Sequence, residues 1–301
     1  MDNEKLYNLL KHISPRLRNA LNSLESSVLD SAEEIHLSLQ KPAIIAYNGG
    51  FRYIPHENQC FICDQKTITE TFMLICENSV YAVGDKISNG FITISGGHRA
   101  GVCGTAVMKS GAISTIKNVS SINIRISREI FGVANKVIHK IVESEKIKNT
   151  LIISPPKCGK TTLLRDISRV LGGKHRVAVI DERSEIASVF NGIPQNDVGM
   201  LTDVFDSCPK HLAIPTVIRS MAPEIIITDE IGTKEDVDAL NYASTCGVNV
   251  ISTIHGKDVY DVFKRKIYSD LIDYFDIFIT LSNKKGTGTV ENIVTRDELD
   301  I

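Results

Sequence analysis

The spacing of apolar residues changes along the chain and separates segments with different predicted structure. From Leu6 to Leu24, leucine and isoleucine recur every three or four residues, which predicts two short amphipathic helices separated at Pro15. Between residues 34 and 126 the pattern changes to short apolar runs between turn residues, such as AIIAY, VYAVGD, FITIS and SINIRIS. Such runs are typical of strands. We therefore predict a small mixed α+β domain over residues 1–128.

The second half of the chain has a different pattern. Apolar residues at helical spacing between Ile130 and Val142 predict a connecting helix, which with its charged linker covers residues 129–148. Over residues 149–301, compact runs rich in β-branched residues alternate with segments long enough for helices. These runs are LIIS, RVAVID, EIIITDE, VNVISTI and FDIFITLS. They are typical of parallel strands buried on both faces, so we predict an α/β fold with a mostly parallel sheet.

Composition narrows the function classes without selecting one. The 301 residues are 43% hydrophobic and 23% charged with a net charge of −2, which is typical of a folded protein and argues against bulk nucleic-acid binding. No apolar run approaches the roughly 20 residues that cross a bilayer, so neither a membrane span nor a signal peptide is expected. Seven scattered cysteines favour a reducing compartment. For the isolated pair Cys60 and Cys63, buried thiols and a metal or redox role are both open.

The strongest chemical signal is a phosphate loop between a predicted strand and a predicted helix. Backbone N–H groups of such a loop surround a polyphosphate, its lysine adds a positive charge and its hydroxyl holds Mg²⁺. The sequence departs from the usual pattern at Ser154, where a glycine is expected, and at the two prolines that follow, which donate no amide. We predict that ATP and Mg²⁺ bind here through Pro156, Lys157, Cys158, Gly159, Lys160, Thr161 and Thr162.

Acidic side chains follow two other predicted strands. Asp229 and Glu230 end one strand, and Asp181 and Glu182 end another. Because the carboxyl ends of parallel strands face the same crevice, we expect both pairs near the phosphate loop, with His255 at the end of a third strand. Asp229, Asp181 and Thr161 are the predicted metal-side residues. Either Glu230 or Glu182 positions the attacking water, and the spacing does not decide between them.

Several motifs in fixed order resemble a known family. The segment from Ile218 to Gly232, with its arginine ahead of an acidic strand, and the histidine strand after it resemble the ATPases of type II and type IV secretion systems. The segments IDERSEI, DVG, TDV, CPK and SGGHRAG are more specifically similar to the stage III sporulation protein AA family. The resemblance implies a RecA-like P-loop NTPase domain behind a smaller amino-terminal domain. It also implies a cytoplasmic, hexameric ATPase on the mother-cell side of the developing spore.

Partners and further roles depend on that resemblance. It implies indirect membrane association through membrane proteins of the channel complex between mother cell and forespore, and no nucleic acid is expected. In a ring, Arg183, Arg219 and Arg99 are candidates to reach the γ-phosphate of a neighbouring subunit. The amino-terminal domain is the expected docking surface, where Gly96-Gly97-His98-Arg99-Ala100-Gly101 offers a backbone loop with exposed basic groups. The alternatives are a nucleic-acid-binding P-loop ATPase, and a nucleotide-dependent switch or scaffold with little turnover.

Overall fold

The computed structural model describes residues 3–79, 90–109 and 111–299, so the predicted strand VYAVGD lies outside the described residues. Contacts divide the chain into two compact units. Unit 1 runs to Arg128 and also includes Ser188–Gln195, whereas unit 2 consists of Glu129–Ala187 and the residues from Asn196 onward. The chain therefore passes from one unit to the other three times, and no sequence pattern predicts the second and third passages.

Short helices cover one part of unit 1. In the described residues they are α1 (Asn3–Lys11), α2 (Pro15–Asn22), α3 (Ser26–Ser31) and α4 (Gln65–Ile75). Proline suits the first position of α2 because its φ is already helical and its missing amide would be unpaired there. Helix α4 begins after Asp64, whose side chain accepts a hydrogen bond from the Thr67 amide at 2.7 Å.

An antiparallel sheet forms the rest of unit 1. Its strands are β1 (Ala32–Ser38), β2 (Ile44–Tyr47), β3 (Gly50–Tyr53), β6 (Ile92–Ile94), β7 (His98–Lys109) and β8 (Ala112–Arg125), and the short strands β4 (Pro55–His56) and β5 (Gln59–Cys60) pair separately. The order across the sheet is β3-β2-β1-β8-β7-β6. Alternate residues such as Ile35, Leu37, Ile122 and Ile124 are buried together with the helix side chains. Burial also raises the pKa of Cys63 to about 11, so this thiol stays protonated.

The glycine-rich motif of unit 1 is a buried turn. Gly96 and Gly97 have positive φ angles in the turn that pairs Ile94 with His98. The His98 ring is fully buried: one ring nitrogen lies 2.9 Å from the Lys5 carbonyl oxygen, and the other accepts a hydrogen bond from the Ser127 amide. The Arg99 guanidinium lies over the Phe91 ring, 4.6 Å from its centroid. The expectation that this motif exposes basic groups is wrong for His98, because the ring is a packed element of the fold.

Ser188–Gln195 belongs to unit 1 through contacts of its own. The Gln195 side chain accepts a hydrogen bond from the Gly96 amide at 2.7 Å, and the Asn191 side chain donates one to Glu77 at 3.0 Å. The residues that flank this segment are hydrogen-bonded to each other, since the Asn196 amide donates to the Ala187 carbonyl.

The predicted connecting helix is not continuous. Val133–Lys136 forms a 3₁₀ turn after Gly132, which has a left-handed φ of 81°, and α5 covers only Ile138–Ile141. The strands β9 (Val142–Glu143) and β10 (Lys146–Ile147) then form a small hairpin. The apolar spacing is helical, but the backbone at the glycine interrupts the helix.

A seven-stranded sheet forms the centre of unit 2. Its strands are β11 (Thr150–Ser154), β12 (Val177–Asp181), β13 (Thr202–Asp206), β14 (Ile225–Glu230), β15 (Asn249–His255), β16 (Ile277–Ser282) and β17 (Thr289–Thr295). The order is β13-β12-β14-β15-β11-β16-β17, and all pairs are parallel except β16 with β17. The predicted α/β class with a mostly parallel sheet is confirmed. The phosphate-loop strand β11 lies between the histidine strand β15 and β16, so these strand ends share one edge.

Helices and 3₁₀ turns surround this sheet. They are α6 (Lys160–Leu171), α7 (Lys210–Met221), α8 (Lys234–Thr245), α9 (Val259–Phe263) and the 3₁₀ turns Lys266–Leu271 and Arg296–Glu298. Thr233 and Asp236 cap α8 reciprocally. Side chains of α7 and α8 are buried together with strand residues such as Ile226 and Val250.

Two edge strands of unit 2 differ from the prediction. Strand β13 begins inside the segment from Phe190 to Asp203, which the sequence predicts as one long loop because it contains two glycines, a proline and little apolar periodicity. Strand β17 also has no predicted counterpart. Both contain polar and partly exposed residues because each has only one neighbouring strand. The patterns that identify buried strands therefore miss them.

The buried His98 predicts a stability change with pH. Burial lowers the pKa of His98 to about 4 from 6.5, so the unfolded chain takes up this proton more readily. The contribution of neutral His98 to the free energy of unfolding is complete above pH 6.5. It is lost as the pH falls toward 4, and the total loss is about 3 kcal/mol. Urea unfolding between pH 4.5 and 7.5 measures it.

The matched variant for this test is His98→Gln, which has no group that titrates in this range. We expect the difference in unfolding free energy between wild type and variant to shrink as the pH falls. A difference that stays constant from pH 7.5 to 4.5 would contradict the prediction.

Candidate functional site

The phosphate loop of unit 2 joins β11 to α6. Lys157 and Gly159 have left-handed φ angles of 61° and 85°, and α6 begins at Lys160. Left-handed residues beside a helix start form a concave set of N–H groups suited to an anion. The left-handed φ of Gly159 strains any other residue, and a Cβ atom here would also lie 3.2 Å from Gly288 in the hairpin between β16 and β17, so the position favours glycine.

Ser154 is accommodated in place of the expected glycine. Its side chain is buried, and its hydroxyl donates a hydrogen bond to the Pro155 carbonyl at 2.8 Å. Its own carbonyl accepts from the Gly256 amide. The hydroxyl and the carbonyl of Ser154 are therefore both hydrogen-bonded.

A cavity of about 300 Å³ lies over this loop, within unit 2. Most of the predicted site residues line it, and Leu164, Glu185 and Thr253 join them. The predicted residues in the lining are Pro156, Lys157, Cys158, Gly159, Lys160, Thr161, Thr162, Arg183, Asp229, Glu230 and His255. Asp181, Glu182 and Arg219 do not line it, so the two acidic strand ends have different environments.

Lys160, His255 and Glu230 form a continuous polar chain. Lys160 Nζ lies 2.9 Å from His255 Nδ1, and His255 Nε2 lies 2.8 Å from Glu230 Oε2. Because an ammonium group only donates, Nδ1 accepts and Nε2 carries the proton that faces Glu230. Burial lowers the pKa of Lys160, while the nearby Glu230 and Glu185 carboxylates oppose that shift. The phosphate-loop lysine therefore contacts the histidine strand directly.

Lys210 joins the two acidic strand ends. Its ammonium group lies 2.7 Å from Glu182 Oε2 and 3.1 Å from Asp229 Oδ1, at the start of α7. Burial alone would lower the pKa of Lys210, but the carboxylates raise it, so the side chain stays charged. Burial raises the pKa of Asp229 to about 6, and Lys210 opposes this.

Asp181 is occupied by backbone amides. Its buried carboxylate accepts hydrogen bonds from the amides of Glu185, Ile186 and Ala187 at 2.7 to 3.0 Å. The expectation that Asp181 lies in the metal shell does not agree with this geometry, because both carboxylate oxygens already hold the turn after β12.

The candidate arginines have different positions. Arg183 is exposed and lines the cavity, whereas Arg219 is exposed in the last turn of α7 and does not. Of these two arginines, Arg183 is the one that lies beside the cavity of its own chain.

Sequence reasoning missed Glu185 and Lys210 as site residues. Glu185 belongs to the acidic segment after β12 and lines the cavity. Sequence reasoning did not select it because it lies several residues beyond the end of that strand. Lys210 lies in the CPK segment, where a lysine at a helix start looks solvent-exposed. Its burial depends on two strands that are distant in sequence.

Comparison with known proteins identifies the family. The family model described as "Sporulation stage III, protein AA" matches residues 2–299. Stage III sporulation protein AA of Bacillus subtilis is 35% identical over 292 residues, which cover 93% of this chain and 92% of that protein. The chain belongs to this family.

The chain shares its fold with ATPases of the secretion type. The pilus retraction motor PilT with bound ADP superposes with a TM-score of 0.61 at 15% identity, over 85% of this chain and 76% of that one. The ATPase DotB of Legionella pneumophila gives 0.55 at 16% identity, over 88% of this chain and 74% of that one. This likeness establishes a RecA-like ATPase fold with an amino-terminal domain, as the motifs indicated. No helix in the described ranges is long and apolar enough to cross a membrane.

The residues of this family member suit a magnesium nucleotide. Left-handed loop residues and a helix start face the cavity, and hard oxygen donors are available from Thr161 and Asp229. Asp229 Oδ1 is buried and lies 3.1 Å from the Lys210 ammonium, and Asp229 and Thr161 both line the cavity. Thr161 and Asp229 are therefore the residues that would hold Mg²⁺.

Gly159 provides a test of the loop geometry. We expect Gly159→Ala to weaken ADP binding by at least about tenfold, because an alanine is strained at this φ and contacts Gly288. Gly173→Ala, at the end of the same helix, has an ordinary contact of 3.4 Å and should bind normally. Titration with a fluorescent ADP analogue measures both. Equal affinities would show that the loop conformation is not needed for binding.

Proposed function

We propose that this protein is a Mg²⁺-dependent ATPase that forms a ring, of the secretion type. The observation that carries the proposal is the chain from Lys160 through His255 to Glu230 over a phosphate loop. An incoming γ-phosphate attracts Lys160 away from His255, because a phosphate oxygen is a stronger acceptor for an ammonium group than a neutral imidazole. Binding of ATP would thereby release His255 and Glu230 to interact with the phosphate and the attacking water.

Glu230, and not Glu182, is the proposed water-positioning residue. Glu230 lines the cavity and contacts His255, whereas Glu182 lies outside the lining and is paired with Lys210. Thr161 and Asp229 would hold the metal ion, which supplies charge stabilisation to the transferring phosphoryl group. The acidic strand end after β12 then has a structural role, through Asp181 and Glu182.

The cellular role is proposed from the family. The name of the Bacillus subtilis relative refers to sporulation stage III, and the structural neighbours are a pilus motor and an ATPase. We propose that the chain acts in the cytoplasm of the mother cell as a homo-hexamer. Membrane proteins of the channel complex would recruit it to the membrane, and ATP turnover would energise or regulate that complex.

Substitution of the two glutamates tests the assignment. We expect Glu230→Gln to lower the turnover number roughly 10²- to 10⁴-fold with ATP binding retained, since general-base groups contribute about that much. Glu182→Gln should stay within about tenfold of wild type. Lys160→Ala should lose binding as well as turnover. Phosphate release and nucleotide titration measure these effects.

The outcomes separate the competing functions. Wild-type protein that binds ATP without measurable turnover identifies a nucleotide switch or scaffold. Loss of turnover in Glu182→Gln, with Glu230→Gln unaffected, would reverse the assignment of the two carboxylates.

Mixed-subunit assays test the arginines in a ring. Arg219 lies outside its own cavity, so we propose that it acts on a neighbouring subunit, whereas Arg183 acts within its own. Lys160→Ala mixed with Arg219→Ala should regain part of the wild-type turnover, because some interfaces combine an intact phosphate loop with an intact arginine. Lys160→Ala mixed with Arg183→Ala should stay inactive. If only the mixture that contains Arg183→Ala regains turnover, then Arg183 acts on the neighbouring subunit and Arg219 acts within its own.

A further inference from the structure

Lys210 occupies an unusual place for a lysine. Only 5% of the residue is exposed, although it is at the first position of a helix. Its ammonium group lies within about 3 Å of one oxygen from each of two carboxylates, Glu182 and Asp229. Glu182 directly follows β12, and Asp229 lies near the end of the neighbouring parallel strand β14.

Two facing carboxylates with a small cation between them have the composition of a divalent-cation site. Mg²⁺ and Mn²⁺ bind through one or two carboxylates, with water completing their coordination. In this chain the position between the two oxygens is filled by the side chain of Lys210, which carries a single charge and brings no water.

We propose that Lys210 is a built-in counter-ion that takes the place of a divalent cation between Glu182 and Asp229. It thereby prevents metal binding at this acidic edge in the absence of nucleotide. The metal ion would then enter with ATP and would be held by Thr161 and Asp229, which both line the cavity. The inference deepens the proposed function, because it takes Asp229 as the metal-side carboxylate. Its test uses metal binding alone and needs no turnover.

The charges around the cavity explain why such a counter-ion is useful. Glu185, Asp229 and Glu230 line the cavity that would receive a polyphosphate. A divalent ion bound permanently between Glu182 and Asp229 would cancel both of their charges before nucleotide arrives, whereas a lysine offsets only one of them, and Asp229 still lines the cavity. Lys210 is thus a positioning residue for Asp229, not a group that touches the reacting phosphate.

The test is binding of Mn²⁺ to the full chain without nucleotide. We expect Lys210→Ala to bind Mn²⁺ at least about tenfold more tightly than wild type, because removal of the ammonium leaves two carboxylates and space for a hydrated ion. Mn²⁺ should also raise the melting temperature of the variant and leave that of wild type unchanged. Electron paramagnetic resonance of free Mn²⁺ and calorimetry measure the binding.

Matched variants assign the effect to the two carboxylates. Lys210→Arg keeps a cation and should bind Mn²⁺ as weakly as wild type. Lys234→Met removes an exposed lysine of α8 that pairs with Asp238, and should also behave as wild type. The double variants Lys210→Ala with Glu182→Gln and Lys210→Ala with Asp229→Asn should lose the gained affinity. A purely structural role for Lys210 would lower the stability of Lys210→Ala without creating this metal dependence.

Each outcome decides for or against the proposal. If Lys210→Ala folds only when Mn²⁺ is added, the proposal is supported, and Lys210→Ser provides a second variant with a smaller cavity. Folded Lys210→Ala that binds Mn²⁺ no better than wild type overturns it. Tight Mn²⁺ binding to wild type at the same carboxylates overturns it as well. Neither of these results depends on ATP turnover. Failure of the wild-type protein to bind ATP would overturn the proposed function, but the Mn²⁺ affinities of the variants could still be compared.

Discussion

The fold of unit 2 depends on how it neutralises the acidic side chains that a parallel sheet brings to one edge. Strands β12 and β14 are neighbours, so Asp181 and Glu182 end beside Asp229 and Glu230. Carboxylates that are buried near one another are costly unless each has a partner. The structure provides three different solutions. Backbone amides bind Asp181, the ammonium of Lys210 binds Glu182 and Asp229, and the imidazole of His255 binds Glu230.

These partners come from separate parts of the sequence. The amides belong to the turn after β12, Lys210 begins α7, and His255 ends β15. Lys160 begins α6 and contacts that histidine. The site therefore forms only when the sheet and its helices are complete. Its carboxylates are distinguished by their partners and not by their residue types, which is why two glutamates one residue away from an aspartate have different environments.

The class of fold and the position of the loop between β11 and α6 followed from the sequence, but the hydrogen-bond partners of the carboxylates did not. Buried strands such as LIIS and EIIITDE have continuous β-branched runs, and the loop before Lys160 has a recognisable spacing. These local signals are strong because backbone geometry imposes them. The burial of Lys210 and the capping of Asp181 depend on tertiary neighbours, and no local pattern records those. At Gly132 the local pattern was misleading. The apolar spacing there is helical, but the glycine has a left-handed φ that a right-handed helix does not allow.

The segment Ser188–Gln195 has a consequence for how this architecture can be divided or recombined. Unit 1 is not contiguous in the chain, because this segment is contributed from the middle of unit 2. A fragment that stops at Arg128 lacks the Gln195 side chain that binds the Gly96 amide, and a fragment that starts at Glu129 carries the segment without its neighbours. Exchange of unit 1 between relatives therefore requires that both of its segments, the part up to Arg128 and Ser188–Gln195, are replaced together. Neither unit is therefore a module that a single cut in the chain could transplant.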